Sequence, residues 1–117
     1  MKRRVRIVSL LALASALVGG CSTPSERERI LKHDLMMMRQ AIDKYTLDKE
    51  QAPQSLRALV NGHYLKEIPT DPFTRKKDWV PQFDIIVLSP EQSSTGMVDV
   101  HSASSQVDSN GIPYNEW

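Results

Sequence analysis

Leu31, Leu35, Met38, Ile42 and Tyr45 recur at spacings of 4, 3, 4 and 3. That rhythm places all five on one stripe of an α-helix and leaves Lys32, Arg39, Asp43 and Lys44 off it. Thr23-Pro24-x-Glu26 and Ser25-x-x-Glu28 are two overlapping capping boxes, and Pro24 suits the first helical position. The helix is expected to run from there to about Asp48. A long amphipathic helix has to bury its stripe against another layer, so a lone helix is ruled out as the fold. The thioethers of Met36-Met37-Met38 could ligate a soft metal, but three adjacent helical residues point in different directions. Met38 is therefore read as core, with partly covered neighbours.

From residue 49 the texture changes. Pro53 is expected to end the first helix, and Ser55 to cap a short second one carrying Leu56, Leu59 and Val60. Asn61-Gly62 stops it. Tyr64, Leu65 and Ile68 then anchor an irregular segment stiffened by Pro69 and Pro72. Phe83 to Leu88 reads as a β-strand, and Gly96 to His101 as a second, with Met97 or Val98 and Val100 set against Asp99 and His101. The polar stretch Ser89 to Thr95 is expected to be the hairpin loop. Ser102 to Trp117 reads as irregular loop with a turn at Asn110-Gly111, and Trp117 as a lid packed back on the sheet. The class is α+β: a long N-terminal helix packed on a small antiparallel β-sheet, followed by an irregular C-terminal loop.

The front of the chain has another logic. Lys2, Arg3, Arg4 and Arg6 precede an apolar stretch from Ile7 to Val18 broken only by Ser9 and Ser15, and small residues close it. This is the layout of an export signal. At 1.5 Å per residue the stretch reaches about 18 Å, short of the roughly 30 Å of a bilayer core. Val18-Gly19-Gly20-Cys21 resembles a bacterial lipobox. The resemblance implies cleavage before Cys21, a lipid on its sulfur and acylation of its amine. Cys21 is the only cysteine, so it has no intramolecular disulfide partner. The expected organisation is a signal peptide over 1–20, a tether over 21–25 and one domain over 26–117. Ser22 stands where some bacteria place the aspartate that retains lipoproteins at the inner membrane. A periplasm-facing anchor is thus expected, with the outer membrane favoured.

Residues 21–117 carry 11 basic against 14 acidic side chains, a formal −3. Such mild acidity argues against a nucleic-acid binder. One local exception is Arg75-Lys76-Lys77 beside Trp79, which could touch a phosphate chain and stack a base, although Asp71, Asp78 and Asp84 surround it. For catalysis, His33, His63 and His101 form no metal-binding pair, and no glycine-rich phosphate loop occurs. Asp99 and His101 share a strand face near Ser102 and Ser104, but neighbours on a strand alternate faces, which suits nucleophilic attack poorly. A non-enzyme is expected, without catalytic residues.

The order of elements carries specific words: Ala41-Ile42-x-x-Tyr45-x-Leu47-Asp48, Pro53, Leu56-x-x-Leu59, Tyr64-Leu65-x-x-x-Pro69-x-Asp71-Pro72-Phe73, Val98-Asp99-Val100-x-Ser102 and Asn115-Glu116-Trp117. Over about residues 30–117 this resembles the periplasmic domain of the major pseudopilin of type II secretion systems. The resemblance implies a pseudopilin-like fold and secretion-apparatus or pseudopilus proteins as partners, beside the membrane reached through Cys21. Asp71 is read as a structural turn residue. Two departures stand out. Family members keep an apolar segment that continues the helix and packs the fibre, with a glycine before it and a glutamate at its fifth position. Here no glycine precedes the apolar run, no acidic residue lies within 1–25, and cleavage before Cys21 would discard the run. A fibre-forming subunit that keeps its N-terminal helix is the alternative. In the family, moreover, a comparable last loop binds calcium through acidic side chains and carbonyls. This loop offers Asp108, Asn110 and Glu116, with Gln106 near where the family has an acid. Closure by turn hydrogen bonds alone is expected and no cofactor; Asp108 and Asn110 are the calcium candidates that stand against this.

Overall fold

The computed structural model describes residues 23–117. The expected signal peptide, Cys21 and the first part of the tether lie outside them. Helix α1 spans Pro24–Lys49. Thr23, not Ser25, is its N-cap: the backbone is extended there and the hydroxyl accepts from the Glu26 amide at 3.2 Å. The helix thus begins inside the stretch read as a tether. It ends before Pro53 acts, because Glu50 turns left-handed at φ 53°. Leu31, Leu35, Met38, Ala41, Ile42 and Thr46 are buried. Tyr45, the last of the expected stripe, is half-buried and meets the Tyr64 ring edge-on at 5.3 Å. Met38 is fully buried, while Met36 and Met37 are exposed. Among the described residues, no helix is long and apolar enough to cross a membrane.

Helix α2 spans Leu56–Asn61 and is capped by the Ser55 hydroxyl, which accepts from the Ala58 amide. Past it lie two antiparallel strands, β1 (Val80–Ser89) and β2 (Gln92–His101). Both outrun the sequence expectation. The polar stretch after Ser89 is strand rather than loop, because Ser93, Ser94 and Thr95 pair with Val87, Ile86 and Ile85. Only Pro90 and Glu91 are left to turn the chain. The ladder slips twice, leaving Val98 extra on β2 and Leu88 extra on β1. The Val98 slip lets both Met97 and Val100 enter the core, which strict alternation over that interval would forbid. The fold is α+β: one long helix and a two-stranded antiparallel sheet. The core joins Leu31, Leu35, Met38 and Ile42 of α1 to Leu59, Leu65, Phe73, Trp79, Met97, Val100 and Tyr114.

The outer edge of β2 is taken by the chain between the helices. The Met97 amide donates to the Pro53 carbonyl at 2.7 Å, the Ala52 amide to Ser94 Oγ at 2.9 Å and Gln54 Nε2 to the Thr95 carbonyl at 2.8 Å. Gly96 makes this approach feasible. A Cβ there would lie 2.6 Å from Ala52 Cβ and 2.8 Å from the Pro53 carbonyl oxygen. Gly96→Ala is expected to push the segment off the strand and cost about 1–3 kcal/mol, read as a lower urea midpoint with unchanged slope.

Candidate functional site

The longest-reaching polar contacts gather where the C-terminal segment meets α1 and the end of β2. Arg39 lies off the apolar stripe and gives no sign of its role in the sequence. Its Nε donates to Asp99 Oδ1 at 2.7 Å, and its Nη2 donates to the main-chain oxygens of Val100 at 3.0 Å and Trp117 at 2.7 Å. The planar guanidinium thus pins helix, strand and C-terminal segment together. His101 adds its Nδ1 2.9 Å from the same Trp117 oxygen and its Nε2 3.5 Å from Asp99 Oδ2. The Trp117 ring meets Tyr114 edge-on at 5.0 Å, and the Lys32 ammonium lies 5.5 Å from it. Trp117 is therefore a lid over α1 and Tyr114 rather than over the sheet. Beside it, Lys32, Leu35, Met36, Arg39, Gln40 and Asp43 line a groove of about 510 Å³ along the helix.

A second polar centre lies deep in the fold. Asp71 has no exposed surface. Its Oδ1 accepts from the Phe73 amide at 2.7 Å and the Thr74 amide at 3.2 Å, and its Oδ2 accepts from the Ser102 hydroxyl. Ser102 Oγ in turn accepts from the Ser104 amide at 3.1 Å. A buried carboxylate is tolerated when its lone pairs are filled in this way. Asp71 thus ties the Pro-rich segment to the end of β2, in the structural role its sequence context implied. The Asp71 amide and carbonyl also close the turn carrying Arg75, Lys76 and Lys77, bonding the Lys76 carbonyl at 2.9 Å and the Arg75 amide at 2.8 Å. Those three cations are exposed. Trp79 is not: it is 7% exposed, with its indole N–H donating to the Pro69 carbonyl at 2.7 Å. It offers no face on which a base could stack.

The last loop closes on itself. Asp108 Oδ1 accepts from the Asn110 and Ile112 amides at 2.8 and 2.9 Å, and Oδ2 accepts from the Trp117 indole at 3.1 Å. These bonds, led by that from Ile112, hold the Asp108 carboxyl below the usual carboxylate range. The Gly111 amide completes the turn on the Asp108 carbonyl, with φ at 80°. Both oxygens of the calcium candidate Asp108 are thus engaged by the loop itself, and Asn110 contributes its amide to that closure. Among the described residues, no group of three or more His, Cys, Asp or Glu is placed to hold a metal. Nor do Ser102, His101 and Asp99 converge, since the Ser102 hydroxyl is directed to Asp71. Cys21, the expected lipid site, lies outside the described residues.

Tyr114 joins this loop to the front of α1. It is 3% exposed, stacks on Phe73 at 3.9 Å and donates from its hydroxyl to Glu28 Oε2 at 2.9 Å. The third feature is apolar. Phe83, Ile85 and Val87 share one face of β1 and are 52%, 65% and 72% exposed. Ile42, Thr46 and Leu47 of α1 face Ile86, Val87, Leu88 and Val98 across a groove of about 570 Å³, which both slipped residues of the ladder line. The sequence marks Phe83 to Leu88 as a strand, but nothing in its composition says that Phe83, Ile85 and Val87 stay exposed.

No family model, curated protein or solved structure matches this chain. The site combines an arginine-pinned C-terminal lid, a buried carboxylate knot and an exposed apolar row on β1.

Asp71→Ala strands the Phe73 and Thr74 amides and the Ser102 hydroxyl in the interior, and is expected to cost about 2–4 kcal/mol by urea denaturation. Ser102→Ala should cost less than Asp71→Ala, since it leaves one Asp71 oxygen and the Ser104 amide without their partner rather than two amides and a hydroxyl. Burial, then the Glu28 hydrogen bond, pushes the Tyr114 phenol from 10.0 up to about 12. The fold therefore favours the neutral phenol. This contribution is whole below pH 10 and is lost as pH rises toward 12. A near-ultraviolet titration of wild type minus Tyr114→Phe should place the ionisation near 12 in the folded chain.

Proposed function

We propose that this chain is a lipid-anchored, non-catalytic, pseudopilin-like interaction protein of the bacterial cell envelope, associated with a type II secretion or related pilus-like apparatus. In this reading, lipid on Cys21 holds the domain at the membrane and its surfaces engage other secretion-apparatus or pseudopilus proteins. The single observation that supports it most is the Asp71 knot. Within the Tyr64 to Phe73 stretch that resembles the pseudopilins, Asp71 turns the chain and bonds Ser102, the residue ending Val98-Asp99-Val100-x-Ser102. Two separated parts of the resemblance thus meet in one buried contact. The apolar row of β1 and the groove beside Trp117 are compatible with a docking protein. No cofactor is part of the reading, because the last loop uses Asp108 for its own closure.

Membrane attachment is proposed to face the periplasm, with the outer membrane favoured. Two fatty chains anchor stably where one gives only marginal binding. Mass spectrometry of the mature N-terminus is expected to find a di- or triacylated Cys21, and Cys21→Ser to leave the protein unlipidated and mislocalised. Mature protein retaining residues 7–20 within filaments would instead make it a fibre subunit. Co-purification of secretion-channel or pseudopilus proteins with the wild-type chain is the expected partner result; their absence under conditions that preserve the apparatus would overturn the docking assignment.

A further inference from the structure

We propose that His33, Met36 and Met37 form a binding site for a soft monovalent cation, copper(I), on the outer face of α1. The proposal rests on neither the lipid anchor nor the secretion assignment. Consecutive methionines on a helix diverge, so the Met36-Met37-Met38 triplet cannot gather a metal by itself. Met38 is fully buried and belongs to the core. Met36 and Met37 are 48% and 43% exposed, and His33 one turn before them is exposed as well.

His33 is the residue on which the two thioethers converge. It precedes Met36 by three positions and Met37 by four, the two spacings that make side-chain neighbours on a helix. At about 100° per residue, the methionines flank the imidazole at roughly 60° on one side and 40° on the other. Cβ atoms so related are about 5–6 Å apart. Helical methionine side chains lean back toward the N-terminus, over the residues three and four before them. Both therefore lean toward His33, and three rotatable bonds give each sulfur the reach to close on one ion. The buried stripe of Leu31, Leu35, Met38 and Ile42 lies on the opposite side of α1, which leaves the site open to solvent. The imidazole is available for a metal: among the described residues, His33 makes no hydrogen bond, and its one electrostatic interaction is with Asp34. Lys32 beside it holds its ammonium 5.5 Å from the centroid of the Trp117 ring.

The donor set chooses the ion. Thioether sulfur is soft and uncharged and selects copper(I), and imidazole suits the same metal. Calcium and magnesium require oxygen ligands, and zinc takes thiolate, imidazole and carboxylate. One imidazole and two thioethers carry no net charge, which suits a monovalent ion better than a divalent one.

The test uses the full chain carrying Cys21→Ser, because a free thiol would take the same ion. Silver(I), a redox-silent stand-in, is added while the methionine methyl and histidine ring signals are followed by NMR. The signals of His33, Met36 and Met37 should shift together and saturate at one ion per chain, with the buried Met38 and Met97 unmoved. Copper(I) affinity is then read anaerobically, by competition with a chromogenic copper(I) chelator. His33→Ala and the double variant Met36→Leu/Met37→Leu should each bind at least about ten-fold more weakly. His63→Asn, at another exposed imidazole whose left-handed backbone asparagine tolerates, should bind as tightly as the reference chain. All these positions are exposed, so circular dichroism should be unchanged throughout. Affinity that survives either substitution, shifts confined to His33, or zinc(II) bound as tightly as copper(I) would overturn the proposal.

Discussion

A helix of 26 residues, about 39 Å long, presents more apolar stripe than a two-stranded hairpin can cover. Most of the remaining architecture answers that mismatch. β2 lies over the stripe with Met97 and Val100, and the short helix adds Leu59. The segments outside α1, the short helix and the sheet supply Leu65, Phe73, Trp79 and Tyr114, four core side chains beside the seven of α1 and the sheet together. Loops can carry a core only if their backbone polar groups are satisfied as they enter it. The constraint on α1 therefore becomes a demand for buried hydrogen bonding elsewhere.

The two polar centres meet that demand in different ways. Asp71 works inside: a fully buried carboxylate filled by two amides and a hydroxyl fixes the path of the Pro-rich segment and brings Phe73 under Tyr114. Removing one partner of such a centre is costly because the groups left behind stay dry. Arg39 works at the rim, where its guanidinium is partly solvated and its geometry matters more than its charge. One planar group reaches a carboxylate and two carbonyls on three separate stretches of chain. A lysine could not form that fork. Together the two centres order a C-terminal segment that has little regular structure of its own.

The elements legible in the sequence were those set by local rules. The 4-3-4-3 spacing, the Thr-Pro cap, Ser55 before its short helix and the Asn110-Gly111 turn all depend on neighbours within a few residues, and all are present. Asp71 was legible because an Asp-Pro pair is itself a local turn signal, although its bond to Ser102, 31 residues away, was not. Arg39 could not be found, since off-stripe basic residues are ordinarily solvated and its partners lie 60 or more residues further along. The polar arm of the hairpin was read as loop because serine and threonine runs usually are; pairing with an apolar strand overrode that preference. Trp79 beside three cations suggested a stacking surface, yet its ring was needed to close the core under Pro69.

β1 was legible as a strand, but its exposure was not. An apolar, β-branched strand normally signals burial, and the run from Phe83 to Val87 has that composition while half or more of each of Phe83, Ile85 and Val87 stays in water. The core is complete without these side chains, since Met97 and Val100 already fill the space beneath α1. Substituting polar residues at 83, 85 and 87 would thus leave no cavity, and the domain alone gives no stability reason for apolar ones. An exposed row of this kind is a recognised liability for aggregation. The row is an exposed apolar surface that the domain's own core does not require.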